Sequence, residues 1–398
     1  MHPVEDIRGS KSKLLKEKVI VLAVTGSIAA VETIKLAREL IRHGADVVPV
    51  ISYNATKMIH PDSLWFATGH RPIVELSGAT EHVNYCGRVK EPADMLLICP
   101  CTANTISKIA HGIDDTNITT FATTAIGSKI PVVIVPAMHL SMYDHKIIQQ
   151  NINKLKKLDI IFIESFIEKN KVKLPNINKI VANVIKIIGK RDLTKKNILI
   201  IGGPTSEKID DVRIITNRSS GLTATSLAIN AFYRGADVEL WYGMGSEIVP
   251  DFIKKTDFIS VSDVQKLVEQ KNLKIFDSII LCAAISDYIP LKQKGKFSSD
   301  KENLILKFKK APKIISFLRK KSPKSILIGF KVEEKKESLS KKAINLINNN
   351  QLDFVIGNTI SGFEGKENEI WIFDKNKRSI HKKGKKENLT NVILDLIK

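Results

Sequence analysis

A unit of apolar strand, glycine turn, amphipathic helix and second apolar strand occurs twice in this chain, and it restricts the fold more than any other feature. The first copy has a strand at 18–25, a turn at Gly26 and Ser27, a helix with Ala30, Ile34, Ala37 and Ile41 on one face, a stop at Gly44 and a strand at 46–51. Spacings of four, three and four predict a single helical face. The second copy has a strand at 197–201, a turn at Gly202-Gly203-Pro204, a longer loop, a helix at 222–233, a stop at Gly235 and a strand at 237–242. Unbroken apolar strands that alternate with helices predict parallel sheets covered on both faces. Further strands of that kind are expected at 95–99, 131–135, 278–282, 326–329 and 354–357. The class is therefore α/β with two parallel-sheet domains, which 398 residues suit better than one core. The first domain is expected over 1–190, closed by a helix burying Ile177, Ile180, Val181, Val184, Ile185 and Ile188. The second is expected over 195–398, after a lysine-rich linker near 189–196.

Composition narrows the class further. Hydrophobic residues at 43% and charged residues at 26% are those of a soluble globular protein. The apolar run at 19–24 follows a basic stretch, as in a signal peptide, but it breaks at Thr25-Gly26-Ser27 and continues into a segment with Glu32, Lys35 and Arg38. No stretch approaches the ~20 apolar residues of a membrane helix. Cys86, Cys99, Cys101 and Cys282 give no disulfide framework, which suggests a reducing cytoplasm, and Cys99-Pro100-Cys101 has no second close pair for a metal site. The formal charge of +20 is spread along both halves without a nucleic-acid motif. A solvated lysine-rich surface that steers anionic substrates is expected, not a nucleic-acid partner. The basic run at 382–386 reads as a loop or solvent face.

Two loops carry most of the functional signal: Pro100-Cys101-Thr102-Ala103-Asn104-Thr105 and Pro136-Ala137-Met138-His139-Leu140-Ser141-Met142-Tyr143. Each follows a buried strand and opens at the carboxyl edge of the sheet, where ligands of open α/β folds bind. A flat apolar cofactor fits between such small, amide and methionine side chains. Gly26 and Ser27, at a strand-to-helix turn, suit a phosphate. With Ser52, Asn104 and Thr105 they outline a mononucleotide site, and the lack of a Gly-x-Gly-x-x-Gly pattern argues against a dinucleotide.

These loops, with Thr25-Gly26-Ser27-Ile28-Ala29-Ala30, His82 in a Glu-His-Val stretch and Ser107-Lys108-Ile109-Ala110-His111-Gly112-Ile113, resemble the cysteine decarboxylases that use flavin mononucleotide (FMN). The second half carries Gly202-Gly203-Pro204-Thr205-Ser206-Glu207, Asn217-Arg218-Ser219-Ser220-Gly221, Ala283-Ala284-Ile285-Ser286-Asp287-Tyr288, Gly295-Lys296 and Gly329-Phe330-Lys331, and resembles phosphopantothenate-cysteine ligase. Both halves in this order are similar to the bifunctional enzymes of coenzyme A biosynthesis. The resemblance implies a flavodoxin-like (HFCD flavoprotein) first domain and a Rossmann-like ligase domain. It implies ligation of 4'-phosphopantothenate to cysteine, driven by cytidine triphosphate (CTP) through an acyl-cytidylate. FMN-dependent decarboxylation of phosphopantothenoylcysteine to 4'-phosphopantetheine follows. A carboxylate beside a saturated carbon has no electron sink, and transient oxidation of the thiol by flavin provides one. Activating a carboxylate develops charge on phosphate and carbonyl oxygens, which calls for cations and fixed donors.

The same resemblance implies catalytic roles for His82, Asn217 and Lys296, and cofactor contacts from Gly26, Ser27, Ser52, Asn104, Thr105 and Met138. It implies substrate or nucleotide contacts from His139, Ala283, Asp287, Pro312 and Phe330. Asp287 alone reads equally as a ribose or magnesium ligand and as a turn carboxylate. FMN and Mg2+ are the implied cofactors, and 4'-phosphopantothenate, cysteine and CTP the partners, with no nucleic acid or membrane. A homo-oligomer is implied, with decarboxylase trimers, often paired into dodecamers, and ligase dimers.

Four departures from the family pattern stand out. His139 occupies a position where many members have an asparagine that binds the substrate carboxylate. No cysteine lies between Cys101 and Cys282, where many members carry a reducing-step cysteine in a mobile loop. Another group is expected to donate that proton, the alternatives being Cys86 or Cys101 from a neighbouring subunit, or impaired decarboxylation. Leu222-Thr223-Ala224 stands where Lys-Met-Gly is common, and 345–350 is asparagine-rich where basic residues usually meet the nucleotide, with Lys341 and Lys342 a turn away. The competing readings are retention of only one activity and a nicotinamide-dependent reductase, for which Tyr53 with Lys57 and Tyr288 with Lys292 have the spacing.

Overall fold

The computed structural model describes all residues except 1, 298–302, 360–366 and 377. It divides into two compact units between Lys190 and Arg191. In the first, five parallel strands, β1 (Val19–Val24), β2 (Asp46–Ile51), β3 (Met95–Cys101), β4 (Val132–Pro136) and β5 (Ile161–Phe162), lie in the order β2-β1-β3-β4-β5. Every residue of β3 is buried, so its sequence shows no alternation of polar and apolar residues. The helix Thr33–Arg42 buries Leu36, Ala37, Leu40 and Ile41, and Ile177–Ile188 buries Ile180, Val181, Val184 and Ile185. The chain turns back across β1 between β2 and β3, which makes the crevice between the carboxyl ends of β1 and β3 the switch point of the sheet.

In the second unit, β6 (Asn197–Gly202), β7 (Asp237–Tyr242), β8 (Lys254–Asp257), β9 (Ser278–Leu281), β10 (Ile326–Glu333) and β11 (Phe354–Thr359) are parallel in the order β8-β7-β6-β9-β10-β11. That is the doubly wound nucleotide-binding order, with its switch point between β6 and β9. Two antiparallel strands, β12 (Glu367–Asp374) and β13 (Ser379–Lys385), extend the sheet beyond β11. Most of the basic run at 382–386 is therefore strand and not loop. Lys382 pairs with Ile370, and exposed lysines on an edge strand discourage further strands from adding. Leu199, Ile279, Leu327 and Val355 form one core with the helices Val261–Gln270, Ile314–Lys321 and Lys336–Asn350. The alternate side chains point to the other face, which Leu222–Tyr233 and Lys386–Leu394 cover while packed against each other.

Residues 191–196 are docked on the second unit and are not a free linker. Leu193 is fully buried, and its N–H donates to the Arg234 carbonyl at 3.0 Å. The buried Arg234 guanidinium holds Asp192 and Asp395, each at 2.8 Å.

Candidate functional site

In the first unit Thr25 ties the two strand ends of the switch point together. Its hydroxyl donates to the Pro100 carbonyl at 2.8 Å and accepts from the Thr102 N–H at 3.1 Å. Gly26 is required by a close approach, since a Cβ there would sit 2.7 Å from the Cβ of Asn54. Ser27 then caps a short 3-10 turn, Ile28–Glu32, by accepting from the Ala29 N–H at 3.3 Å, and the α-helix begins only at Thr33. The expected strand-to-α-helix turn is thus interrupted by this cap.

Beside the turn lies a cavity of about 790 Å³, and Ser27, Ile28, Met138, His139 and Lys171 are among its walls. Ser27, Met138 and His139 are therefore brought together. Gly26, Ser52, Asn104 and Thr105 lie outside its lining. The Ser52 hydroxyl accepts from the Ala55 N–H at 3.3 Å, Asn104 is exposed in the first turn of Ala103–His111, and Thr105 is buried against Thr102. Sequence reasoning missed one wall. A hairpin of Phe166–Glu168 and Lys171–Lys173 pairs with Met138–His139, and Lys171 lies directly opposite His139. Three-residue strands give too little alternation to be read from sequence.

His82 sits on the short helix Glu81–Cys86 with its ring edge toward Phe121, the centroids 6.5 Å apart. Its Nδ1 is buried and has no protein partner, a state that a ligand contact would relieve. Cys86, Cys99 and Cys101 are buried in the unit's own core. Burial pushes the Cys86 thiol up to about 12 and those of Cys99 and Cys101 higher still. Within this unit neither the Cys86 nor the Cys101 side chain has exposed surface.

In the second unit the Ala284 carbonyl, at the end of β9, accepts from the Thr205 N–H at 3.1 Å and from Nδ2 of Asn217 at 2.8 Å. A cavity of about 150 Å³ at this edge is walled by Gly221, Ala283, Phe330, Asn358 and Lys386, among others. Gly221 has φ +83°, and a Cβ there would lie 2.1 Å from the Tyr242 hydroxyl, so only glycine fits at the head of Leu222–Tyr233. Ala283 and Phe330 thus line the cavity, and Asn217 reaches its wall through Ala284.

Lys296 is on an exposed loop whose neighbours are pinned from both sides. Asp211 accepts from the Gly295 N–H at 2.9 Å and Asp210 from the Phe297 N–H at 3.1 Å. Asp210 is fully buried and also accepts from the N–H groups of Val212 and Arg213 and from the Arg213 guanidinium at 2.7 Å. Burial alone would raise its pKa, yet these donors hold it far below the usual carboxylate range. Both aspartates lie in the turn between Ser206–Lys208 and Ile214–Thr216, a hairpin that leads directly into Asn217. Sequence reasoning passed over the pair because adjacent aspartates read as a solvated turn.

Asp287 is exposed and ion-paired with Lys313 at 2.5 Å, and its carbonyl accepts from the Ala311 N–H at 2.9 Å, next to Pro312. Both flank the hairpin of Tyr288–Pro290 and Phe308–Lys310, outside the lining of the cavity. Among the described residues no cluster of three or more His, Cys, Asp or Glu side chains is arranged to hold a metal ion, and no helix is long and apolar enough to cross a membrane. Lys292 is ion-paired with Asp211 at 2.6 Å, and Lys57 lies over the Tyr53 ring, so both Tyr-x-x-x-Lys lysines have structural partners.

Residues 8–189 match the family described as Flavoprotein, and residues 193–398 match the DNA/pantothenate metabolism flavoprotein C-terminal domain. The chain is 44% identical over 377 residues to the coenzyme A biosynthesis bifunctional protein CoaBC of Thermococcus kodakarensis, an alignment covering 93% of this chain and 92% of that protein. It is 40% identical over 408 residues to CoaBC of Methanocaldococcus jannaschii, with 100% and 98% covered, and 32% identical over 377 residues to CoaBC of Borreliella burgdorferi, with 90% and 94% covered.

Proposed function

The chain belongs to the family of bifunctional coenzyme A biosynthesis proteins, with a flavoprotein decarboxylase half followed by a ligase half, and from that premise we propose which groups carry the two reactions. What supports the reading most is a cavity at the carboxyl edge of each sheet, walled by Ser27, Met138 and His139, which follow β1 and β4, in one unit and by Ala283 and Phe330 in the other.

In the first unit the flavin is FMN. The cavity falls within the roughly 300–1,000 Å³ of small-molecule sites, while His82, with its buried and unpartnered Nδ1, lies outside the residues that line it. Bound FMN supplies the reversible electron sink that decarboxylation requires. The turn after β1, with Ser27, holds its phosphate end, and Met138 lies against flavin or substrate. His139 holds the substrate carboxylate in place of asparagine. His82 carries a proton at the substrate thiol, and a group other than cysteine protonates the product.

In the second unit CTP activates phosphopantothenate, and Mg2+ would supply neutralisation of the phosphate charge. Lys296 neutralises charge developing on the phosphate, and the Asn217 amide holds the acyl-cytidylate for attack by the cysteine amine. Asp287 and Pro312 border the nucleotide from the Tyr288–Pro290 hairpin. The protein acts as a homo-oligomer. Purified protein given phosphopantothenate, cysteine, Mg2+ and CTP releases pyrophosphate, and Lys296→Gln is expected to abolish that release. An unchanged rate in the variant refutes the ligase assignment.

A further inference from the structure

His82 lies outside the residues that line the first unit's cavity, so its reach toward a ligand is set by the segment that carries it, 73–86. That segment starts from the outermost strand of the sheet, β2. Ile73 forms a parallel bridge with Val50, its N–H donates to the Pro49 carbonyl at 2.9 Å, and its own carbonyl accepts from the Ile51 N–H at 3.0 Å. The chain then runs through largely exposed residues to Thr80, whose φ of +52° is one that a β-branched residue rarely adopts. Such a conformation persists only where the surroundings over-determine the backbone.

The helix Asn117–Gly127 supplies those surroundings. Its first residue, Asn117, donates from Nδ2 to the carbonyls of Val74 at 2.8 Å, Ile51 at 2.9 Å and Ile73 at 3.2 Å. All three partners are acceptors, so the nitrogen must face them and the orientation of the amide follows from the network. The helix end that presents it is itself fixed. The Thr116 hydroxyl accepts from the Thr119 N–H at 3.2 Å, and the Thr119 hydroxyl accepts from the Thr116 N–H at 3.0 Å. One turn further on, the buried Phe121 meets the His82 ring, and Cys86, at the far end of the segment, packs into the same core as Phe121 and Ala122. Residues four apart share one helix face, so this helix holds the segment both at its start and at its histidine.

We propose that Asn117 is a positioning residue for the decarboxylation. Its amide clamps the start of the His82 segment to the end of β2, and the Phe121 ring one turn away takes up the aim of the imidazole. Asn117 acts through His82, and this rests on the role given to His82 above.

The test compares the full-length flavin-loaded protein as wild type, Asn117→Leu, Asn117→Ser and His82→Gln, with each Asn117 substitution also made on His82→Gln. Leucine keeps the volume and removes the donors, while serine is the milder change and keeps one hydroxyl donor. With supplied phosphopantothenoylcysteine, Asn117→Leu is expected to lower kcat by about tenfold or more and to leave KM within about twofold. Hydrogen exchange should quicken in residues 73–86 and stay at the wild-type rate in β1 and β3. Asn117→Ser should fall between, and it decides the question if the leucine variant does not fold. On His82→Gln, either Asn117 substitution should cost less than about twofold, because groups that act as one unit are not additive. Wild-type kcat in both Asn117 variants, beside an impaired His82→Gln, overturns the inference and leaves the role of His82 intact. The full loss repeated on His82→Gln also overturns it, since Asn117 would then act independently of the histidine. Wild-type kcat in His82→Gln refutes the role of His82 and the positioning role with it.

Discussion

The two candidate sites differ in what holds their reactive residues. In the first unit Ser27, Met138 and His139 stand directly at strand ends or on a strand paired to a hairpin, so the core that buries β3 also fixes the cavity wall. In the second unit Lys296 is on an exposed loop, and its position depends on two carboxylates of a separate hairpin. Packing sets the first site and a few charge-assisted hydrogen bonds set the second. Remote substitutions should therefore harm the second site's chemistry without unfolding it, and harm the first cavity's walls only by loosening the sheet.

The sharpest way to break this contrast is Asp210→Asn. An amide has a single acceptor oxygen for donors that now share a carboxylate, so the Phe297 N–H or the Arg213 contacts are released. A shift of about 1 Å in a catalytic group costs on the order of 100-fold in rate. Pyrophosphate release is expected to fall by about that factor while decarboxylation of supplied phosphopantothenoylcysteine stays within about twofold. Equal losses in both assays would show that the two sites are not separately held.

The same group sets a pH signature. The folded pKa of Asp210 is depressed below its usual 3.8, so its contribution to stability is fully present above that value and is lost as pH falls toward the folded pKa. The melting-temperature gap between wild type and Asp210→Asn should be constant from neutral pH down to about 4 and close in stronger acid. A gap that already shrinks between pH 7 and 5 would contradict the assignment.

Thr25→Val tests the other side with a smaller effect. It leaves the buried Pro100 carbonyl without that donor and the Thr102 N–H without that acceptor, a loss of about 1–3 kcal/mol. A domain of this size then melts several degrees lower, at about 2–4 °C per kcal/mol. Flavin retention should weaken in step with stability, and ligation should be untouched. A colourless protein of unchanged melting temperature would mean that Thr25 serves the cofactor directly and not the sheet.

How legible these arrangements were in the sequence follows the same division. The helix Leu222–Tyr233 and the strand Asp237–Tyr242 announce themselves through apolar runs punctuated by Gly221 and Gly235, because local periodicity and global packing agree there. The strand Ser379–Lys385 is hidden, since its exposed residues include three of the lysines, Lys382, Lys383 and Lys385, that made the segment look like solvated loop. Lys386 was lost in the same run. Asp210 and Asp211 gave no signal because their partners, Gly295 and Phe297, are far along the chain, and a carboxylate's burial depends on contacts that sequence neighbours do not report. The packed segment after Arg191 was obscured in the same way, since the partner of Asp192 is the distant Arg234.

The smallest expected effect is that of Cys86→Ala, and it bears on what finishes the decarboxylation. Cys86 ends the helix that carries His82, so proximity alone recommends it as the proton donor that the missing loop cysteine would have been. Its thiol has no exposed surface, and burial pushes it up to about 12, which makes it a poor acid with no path to a ligand. Alanine keeps a small apolar group in the same core, so kcat for decarboxylation should stay within about twofold and the pH profile should not move. A tenfold loss at unchanged melting temperature would make Cys86 the donor after all. The first site would then depend on a second group beyond the walls of its cavity, in addition to His82.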